Sequence, residues 1–200
     1  MSLFDTPEII RLPLQDAEID YYPQFFGLED ANILLEELYQ NTPWQEDDIK
    51  VYGKIYKQPR LTAFYANNKT AYRYSNISMT PHPFTPLLSS IKTTIEETTK
   101  MTFSSCLLNL YRDGQDSNGW HADDEKELGI NPVIASVSFG AERLFHLKHK
   151  KIKTHKYKLN LQNGSLLVMK GETQHQWLHQ ISKTKKPIGK RINLTFRLLK

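Results

Sequence analysis

From about residue 104 onward the chain is a succession of short β-forming runs, at 106–111, 133–139, 144–148, 157–161, 165–169, 177–181 and 192–198, separated by turn-forming residues. Short strands broken this often point to two facing sheets, a sandwich or jelly roll. Asn163-Gly164 lies between two of the runs, and both residues tolerate positive φ, so a hairpin turn is predicted there. The front half has a different period. Leu28, Ala31, Leu34, Leu35 and Leu38 recur at helical spacing after Gly27, as do Leu87, Leu88, Ile91 and Ile95 after Pro86, which predicts two amphipathic helices. The expected fold is α+β, mainly β: one domain over residues 1–200, with a jelly-roll core at 104–200 and an N-terminal extension at 1–103.

Within that framework His121-Ala122-Asp123 and a later His179 form a candidate metal site. Alternation along a strand lets His121 and Asp123 face the same way into a barrel mouth, and places Trp177, His179 and Ile181 on one face of another strand. Two imidazoles and one carboxylate suit non-haem Fe(II), because three ligands on one face leave positions open for a co-substrate and O2. His-x-Asp by itself is a weak signal, since either histidine can instead hydrogen-bond in a core. On spacing alone His175 competes with His179 for the third position. Arg191 and Arg197 follow, six apart and so on one face of a strand. Paired cations behind a metal site suggest an acidic, chelating co-substrate such as 2-oxoglutarate.

Charge placement says more than the total. The net charge is +4, yet Lys148, Lys150, Lys151, Lys153, Lys156 and Lys158 follow one another without an acid, and Lys183, Lys185, Lys186, Lys190 and Arg191 make a second block. Such blocks suit either a polyanionic partner or an ordinary solvated loop. No apolar run is long enough to span a membrane. The N-terminus has no basic start followed by an apolar stretch, so an intracellular protein is expected, cytoplasmic in a bacterium or nuclear in a eukaryote. The single cysteine, Cys106, lies in an apolar run and reads as a small buried core residue.

Several longer words share one order: Asn109-Leu-Tyr111-Arg112-Asp113, Trp120-His121-Ala-Asp123-Asp124-Glu125, Ile134-Ala-Ser-Val-Ser-Phe-Gly140, Gly164-Ser-Leu-Leu-Val-Met169 and Arg191-Ile-Asn-Leu-Thr-Phe-Arg197. Together they closely resemble the AlkB family of Fe(II)/2-oxoglutarate dioxygenases, and in particular its vertebrate DNA-repair homologues, over roughly Val51 to the C-terminus. The resemblance implies a double-stranded β-helix with a nucleotide-recognition lid in the N-terminal extension. It implies iron held by His121, Asp123 and His179, with His175 lining the approach. Arg191 and Arg197 would bind the carboxylates of 2-oxoglutarate, with Asn109, Tyr111, Asn193 and Thr195 supplying hydrogen bonds.

The same resemblance implies a substrate surface. Val51-Tyr52-Gly53-Lys54 is similar to a finger loop that wedges a base stack, with Tyr52 as the wedge filling the gap of a departed base. Pro59-Arg60-Leu-Thr-Ala-Phe-Tyr65 and Ala71-Tyr72-Arg73-Tyr74-Ser75 are similar to the lid, with Tyr72 and Tyr74 lining the base pocket; cross-strand aromatic packing is their plainer reading. Asp124 and Glu125 either contact a cationic base or form a solvated acidic turn. The activity implied is oxidative demethylation of 1-methyladenine and 3-methylcytosine in DNA, with RNA a further substrate, using Fe(II), 2-oxoglutarate and O2 and releasing formaldehyde and succinate. The expected partner is single- or double-stranded DNA, and the expected state a monomer. Two other readings remain open at this point: an iron and 2-oxoglutarate oxygenase acting on RNA or protein, and a non-enzymatic jelly-roll module that binds nucleic acid.

Overall fold

Opposite faces of the last strand, Arg191–Arg197, serve opposite purposes, and the rest of the architecture follows from that division. In the computed structural model, which describes residues 8–51, 54–67, 72–74 and 77–200, this strand lies inside the larger of two sheets. That sheet has seven antiparallel strands in the order β1 (Ile10–Arg11), β2 (Glu18–Tyr22), β13 (Ser165–Lys170), β10 (Ile134–Gly140), β15 (Arg191–Arg197), β8 (Ser105–Tyr111) and β5 (Leu61–Ala66). The smaller runs β12 (Lys156–Leu161), β11 (Arg143–His149), β14 (Trp177–Ile181) and β9 (Asn118–His121). From β8 to β15 the chain alternates between the two sheets at every step but one, the β11–β12 hairpin within the small sheet, which is the jelly-roll arrangement. Two hairpins, β3 (Asp48–Val51) with β4 (Lys54–Lys57) and β6 (Tyr72–Tyr74) with β7 (Ile77–Met79), stand apart from both sheets.

The two-residue period of the strands divides the interior. Ile192, Leu194 and Phe196 of β15, with Ala135, Val137 and Phe139 of β10 and Cys106, Leu108 and Leu110 of β8, pack against the helices α1 (Leu28–Asn41) and α2 (Pro86–Thr99). Ala31, Leu38, Leu88, Ile91 and Ile95 close that layer. Each large side chain buried there contributes about 1.5–3 kcal/mol. The opposite faces meet between the sheets, where Ile134, Leu167 and Met169 pack on Phe145, Leu147, Trp177 and Ile181. On β15, however, the inward positions are Arg191, Asn193, Thr195 and Arg197, all buried. Polar groups withdrawn from water must find partners inside, so this end of the roll is a polar pocket rather than packed core.

Local signals fix the helices. Pro86 opens α2, the Thr85 hydroxyl accepts from the Leu88 amide at 3.2 Å, and Lys100 at φ 58° ends it. Glu29 and Asp30 occupy the first turn of α1, where the helix dipole favours acids. Leu28 starts the apolar periodicity but is 69% exposed, whereas Ala31 and Leu38 of the same helix are buried. Among the described residues no helix is long and apolar enough to cross a membrane.

The expected strands all form, with ends shifted by at most a residue or two. Within the large sheet β1, β2 and β5 had no clear pattern to announce them: β1 pairs with β2, β2 with β13, and β5 with β8. The Asn163-Gly164 expectation needs correcting. The turn is not a hairpin within one sheet, because β12 belongs to the small sheet and β13 to the large one. It is a corner, and its contacts reach across layers: the Gly140 amide donates to Asn163 Oδ1 at 2.8 Å, Gly164 N to Ser138 O, and Phe26 N to Gly164 O.

Gly164 has φ 76°, and a Cβ there would collide with Phe26 O. Gly164→Ala is therefore expected to destabilise by about 2 kcal/mol through left-handed strain alone, lowering the thermal midpoint by roughly 4–8 °C. An unchanged melting curve would show that the corner is not constrained.

Candidate metal centre and co-substrate pocket

Strand pairing brings the metal-binding candidates together. β9 ends at His121, and the β9–β14 register sets His121 directly opposite His179. Their rings meet edge-on, centroids 4.2 Å apart. Asp123, two residues past the end of β9, places Oδ2 3.7 Å from His179 Nε2. One ligand atom from each of His121, Asp123 and His179 lies within 4.8 Å of the others, and Asp123 and His179 are buried. His175 is elsewhere: its Nε2 accepts from the Asn131 amide at 3.2 Å.

Protonation suits a cation as well. Burial by itself would push the Asp123 carboxyl up, but the charges of Arg197, His179 and His121 hold it down at about 2, so it is ionised. Burial pushes His179 down to about 3, helped by His121, and burial likewise lowers His121. Both imidazoles are thus neutral lone-pair donors near pH 7. His121 Nδ1 lies 2.7 Å from Gly119 O, which favours the proton on Nδ1 and leaves Nε2 as the donor atom.

Surrounding residues hold the carboxylate in place. Arg197 Nη2 donates to Asp123 Oδ1 at 2.6 Å, with both side chains almost wholly buried. The fully buried Gln174, on the short helix α3 (Thr173–Gln176), accepts from the Asp123 amide through Oε1 at 2.9 Å. Lys150 Nζ then bridges Gln174 O at 2.9 Å and Asp124 Oδ2 at 3.0 Å. This clasp ties the turn carrying Asp123 to the segment leading into His179. Phe145 packs on the His179 ring, centroids 5.1 Å apart.

Behind the three candidate ligands, a cavity between the sheets is lined by the inward side chains of β8, β10 and β15. Asn193 Nδ2 donates to Ser136 Oγ and Val137 O, and Thr195 Oγ1 donates to Asn193 Oδ1, so these amides and hydroxyls are fixed in orientation. Arg191 is 1% exposed and lies 5.1 Å from the Tyr111 ring; its Nη2 donates to Ser138 Oγ at 2.9 Å. Burial lowers its pKa to about 10, against the attraction of Tyr111, so it remains charged. Its Nε and Nη1 make no hydrogen bond among the described residues. A buried guanidinium with two idle donors calls for an anion. A chelating dicarboxylate would satisfy it while reaching the metal ligands with its other end, and the site therefore fits both Fe(II) and 2-oxoglutarate.

The substrate-side candidates are distributed differently. Val51 and Lys54 are paired ends of the β3–β4 hairpin; Tyr52 and Gly53 lie outside the described residues. Of Tyr72 and Tyr74 only the backbone, in β6, is described. Arg60 is buried, and its Nε donates to Asn109 Oδ1 at 2.7 Å. Glu125 is half-buried with an Oε2 that makes no hydrogen bond among the described residues, and burial raises its carboxyl, with the neighbouring charge of Asp123 adding to the effect. Asp124 is paired with Lys150. Sequence reading missed Gln174, Lys150, Ser136 and Ser138. The two serines were findable, since in Ile134–Gly140 they occupy alternate positions of an otherwise apolar strand. Gln174 carried no comparable signal.

Comparison with known proteins agrees with this geometry. A sequence model described as the 2OG-Fe(II) oxygenase superfamily matches residues 18–197. The human alpha-ketoglutarate-dependent dioxygenase alkB homolog 3 is 41% identical over 199 residues, which span 95% of this chain and 69% of that protein. The mouse DNA oxidative demethylase ALKBH2 is 36% identical over 202 residues, covering 96% of this chain and 84% of the relative. Among solved structures, OsALKBH1 superposes with a TM-score of 0.64 at 15% identity, over 96% of this chain and all of that one. A prolyl hydroxylase from Trichoplax adhaerens gives 0.62 at 10% identity, over 90% and 83%. At those identities the structural likeness concerns the fold.

In a titration with Mn(II) or Fe(II), His179→Ala is expected to abolish specific metal binding and His175→Ala to leave it intact, whereas the reverse ranking would overturn the ligand assignment. Gln174→Ala should weaken binding by roughly 10–100-fold, as is typical when a group orienting a ligand is lost.

Proposed function

We propose, on the premise that this chain belongs to the AlkB family within the 2OG-Fe(II) oxygenase superfamily, that it is an Fe(II)- and 2-oxoglutarate-dependent DNA oxidative demethylase acting on 1-methyladenine and 3-methylcytosine. The observation that carries the reading is that the His121–Asp123–His179 group and Arg191, with its two idle donors, line one cavity. Arg191 would receive the distal carboxylate of 2-oxoglutarate, with Asn109, Tyr111, Asn193 and Thr195 completing the pocket. Arg197 would act chiefly through Asp123, and Arg60 through Asn109.

When bound, Fe(II) with 2-oxoglutarate and O2 would supply the oxidising equivalent that hydroxylates the N-methyl carbon, after which the methyl group leaves as formaldehyde and the co-substrate as succinate and CO2. No protein nucleophile is needed, and the chain's own work is positioning and charge. Glu125 follows Asp123 by two residues, and its buried Oε2 lacks a partner among the described residues. It would accept from the exocyclic amine of a methylated base whose positive charge the acidic turn favours. Tyr72 and Tyr74 would flank that base, and Tyr52 would fill the gap it leaves in the stack. The protein would work as a monomer inside the cell, on DNA and also on methylated RNA.

Incubating the protein with Fe(II), 2-oxoglutarate, ascorbate and an oligonucleotide containing 1-methyladenine is expected to yield succinate and formaldehyde in equal amounts. Absence of both would overturn the reading. Under the same conditions Arg191→Gln should raise the KM for 2-oxoglutarate by roughly thirtyfold or more, the equivalent of about 2 kcal/mol for one buried charge-assisted pair.

A further inference from the structure

β11 opens on a charged residue at an inward position. Arg143 alternates with exposed Leu144 and shares the buried face of Phe145 and Leu147, and it is 4% exposed. Its guanidinium donates to main-chain oxygens: Nη1 to Asp113 O at 3.2 Å, and Nη2 to Asp116 O at 2.9 Å and Ser182 O at 2.7 Å. None of these acceptors carries a charge. The neighbouring acid, Asp116, has both carboxylate oxygens engaged by Arg112. Burial lowers the pKa of Arg143 against the attraction of Tyr111, Asp116 and Asp113, and a guanidinium keeps its charge at neutral pH. The result is a buried cation whose charge is only partly offset.

Tyr111 connects this cation to the co-substrate pocket. Arg143 Cζ lies 5.5 Å from the centre of the Tyr111 ring, and Arg191 Cζ lies 5.1 Å from the same centre. After burial, the charge of Arg143 is what lowers the pKa of Arg191, so the two guanidinium groups feel each other. Tyr111 and Arg191 line the co-substrate cavity, whereas Arg143 lines a separate cleft with His146, Ser182 and Lys183. Like charges held this close repel, and an anion on Arg191 relieves the repulsion. Arg197 adds little to that attraction, because its charge is matched by Asp123.

We propose that Arg143 is a positioning residue of the co-substrate site, holding the Tyr111 ring against Arg191 and supplying a second positive charge that attracts the distal carboxylate of 2-oxoglutarate. The inference rests on the 2-oxoglutarate reading of that cavity. A unit charge about 10 Å from the carboxylate, at an effective dielectric of about 20, changes affinity on the order of tenfold. The sign of the effect separates charge from scaffolding. Removing a cation weakens binding of a dianion without weakening binding of a metal ion, whereas disruption of the loop that Arg143 ties down weakens both.

Calorimetric titrations of Mn(II) into the protein, and of 2-oxoglutarate into the Mn(II)-loaded protein, test this. Arg143→Met should bind 2-oxoglutarate on the order of tenfold more weakly and Mn(II) no more weakly than the unsubstituted protein. Arg143→Lys, which keeps the charge but not all three hydrogen bonds, should recover most of the lost affinity. Asp116→Asn removes the offsetting acid and should tighten 2-oxoglutarate by roughly two- to fivefold. Melting curves show which variants fold, and Asp116→Asn decides the matter if Arg143→Met does not. Unchanged 2-oxoglutarate affinity in Arg143→Met, parallel weakening of both ligands, lysine no better than methionine, or no tightening in Asp116→Asn would overturn the role of Arg143 and leave the co-substrate reading intact. Failure of the unsubstituted Mn(II)-loaded protein to bind 2-oxoglutarate would remove both.

Discussion

A single ion pair, Arg197 Nη2 to Asp123 Oδ1 at 2.6 Å, joins the last strand of the large sheet to the loop that follows β9 in the small one. Burying two charges is costly, and pairs of this kind often contribute little net stability compared with apolar packing. Here the pair settles the state of a candidate ligand. It keeps Asp123 ionised although burial opposes this, and fixes one oxygen while leaving the other 3.7 Å from His179. Gln174 holds the backbone of the same residue and Lys150 clips the following turn. The carboxylate is thus positioned from three sides before any metal arrives, which reduces the reorganisation needed on binding.

The pocket behind the ligands obeys the same economy of placement. On β15 every second residue joins the helix-covered core, and every other one faces the cavity, so one strand both anchors the large sheet and presents the co-substrate wall. Serines at inward positions of β10 complete that wall, accepting from Arg191 and Asn193. Two of Arg191's donors are left over. In a closed apolar roll they would be a defect, but beside a His–Asp–His group they read as half of a binding site.

Much of this was legible in the sequence because strands encode facing through a period of two. The spacing of Arg191, Asn193, Thr195 and Arg197 was enough to put them on one side, and Trp177, His179 and Ile181 do share a buried face. What sequence could not supply was sheet membership. Asn163-Gly164 has the residues of a hairpin, but whether a turn returns within a sheet or crosses to another depends on tertiary packing, and here it crosses. Long-range partners were equally hidden: Gln174 reaches back over many residues to Asp123, and Arg60 to Asn109. The resemblance narrowed the choice between His175 and His179 where spacing left both open. The lysine run announced its charge but not its division of labour, with Lys150 turned to the metal turn and Lys148, Lys156 and Lys158 lining a surface groove with Trp120.

The central claim is that one metal ion and one dicarboxylate share this pre-arranged pocket. An anaerobic crystal structure with Mn(II) in place of Fe(II) and with 2-oxoglutarate, read by the anomalous signal of the metal, tests it most directly. The account predicts a single anomalous peak within coordinating distance of His121, Asp123 and His179 together, with the distal carboxylate of 2-oxoglutarate on Arg191 Nε and Nη1. A metal held by His175 in place of His179, or a co-substrate that leaves the Arg191 donors untouched, would contradict it.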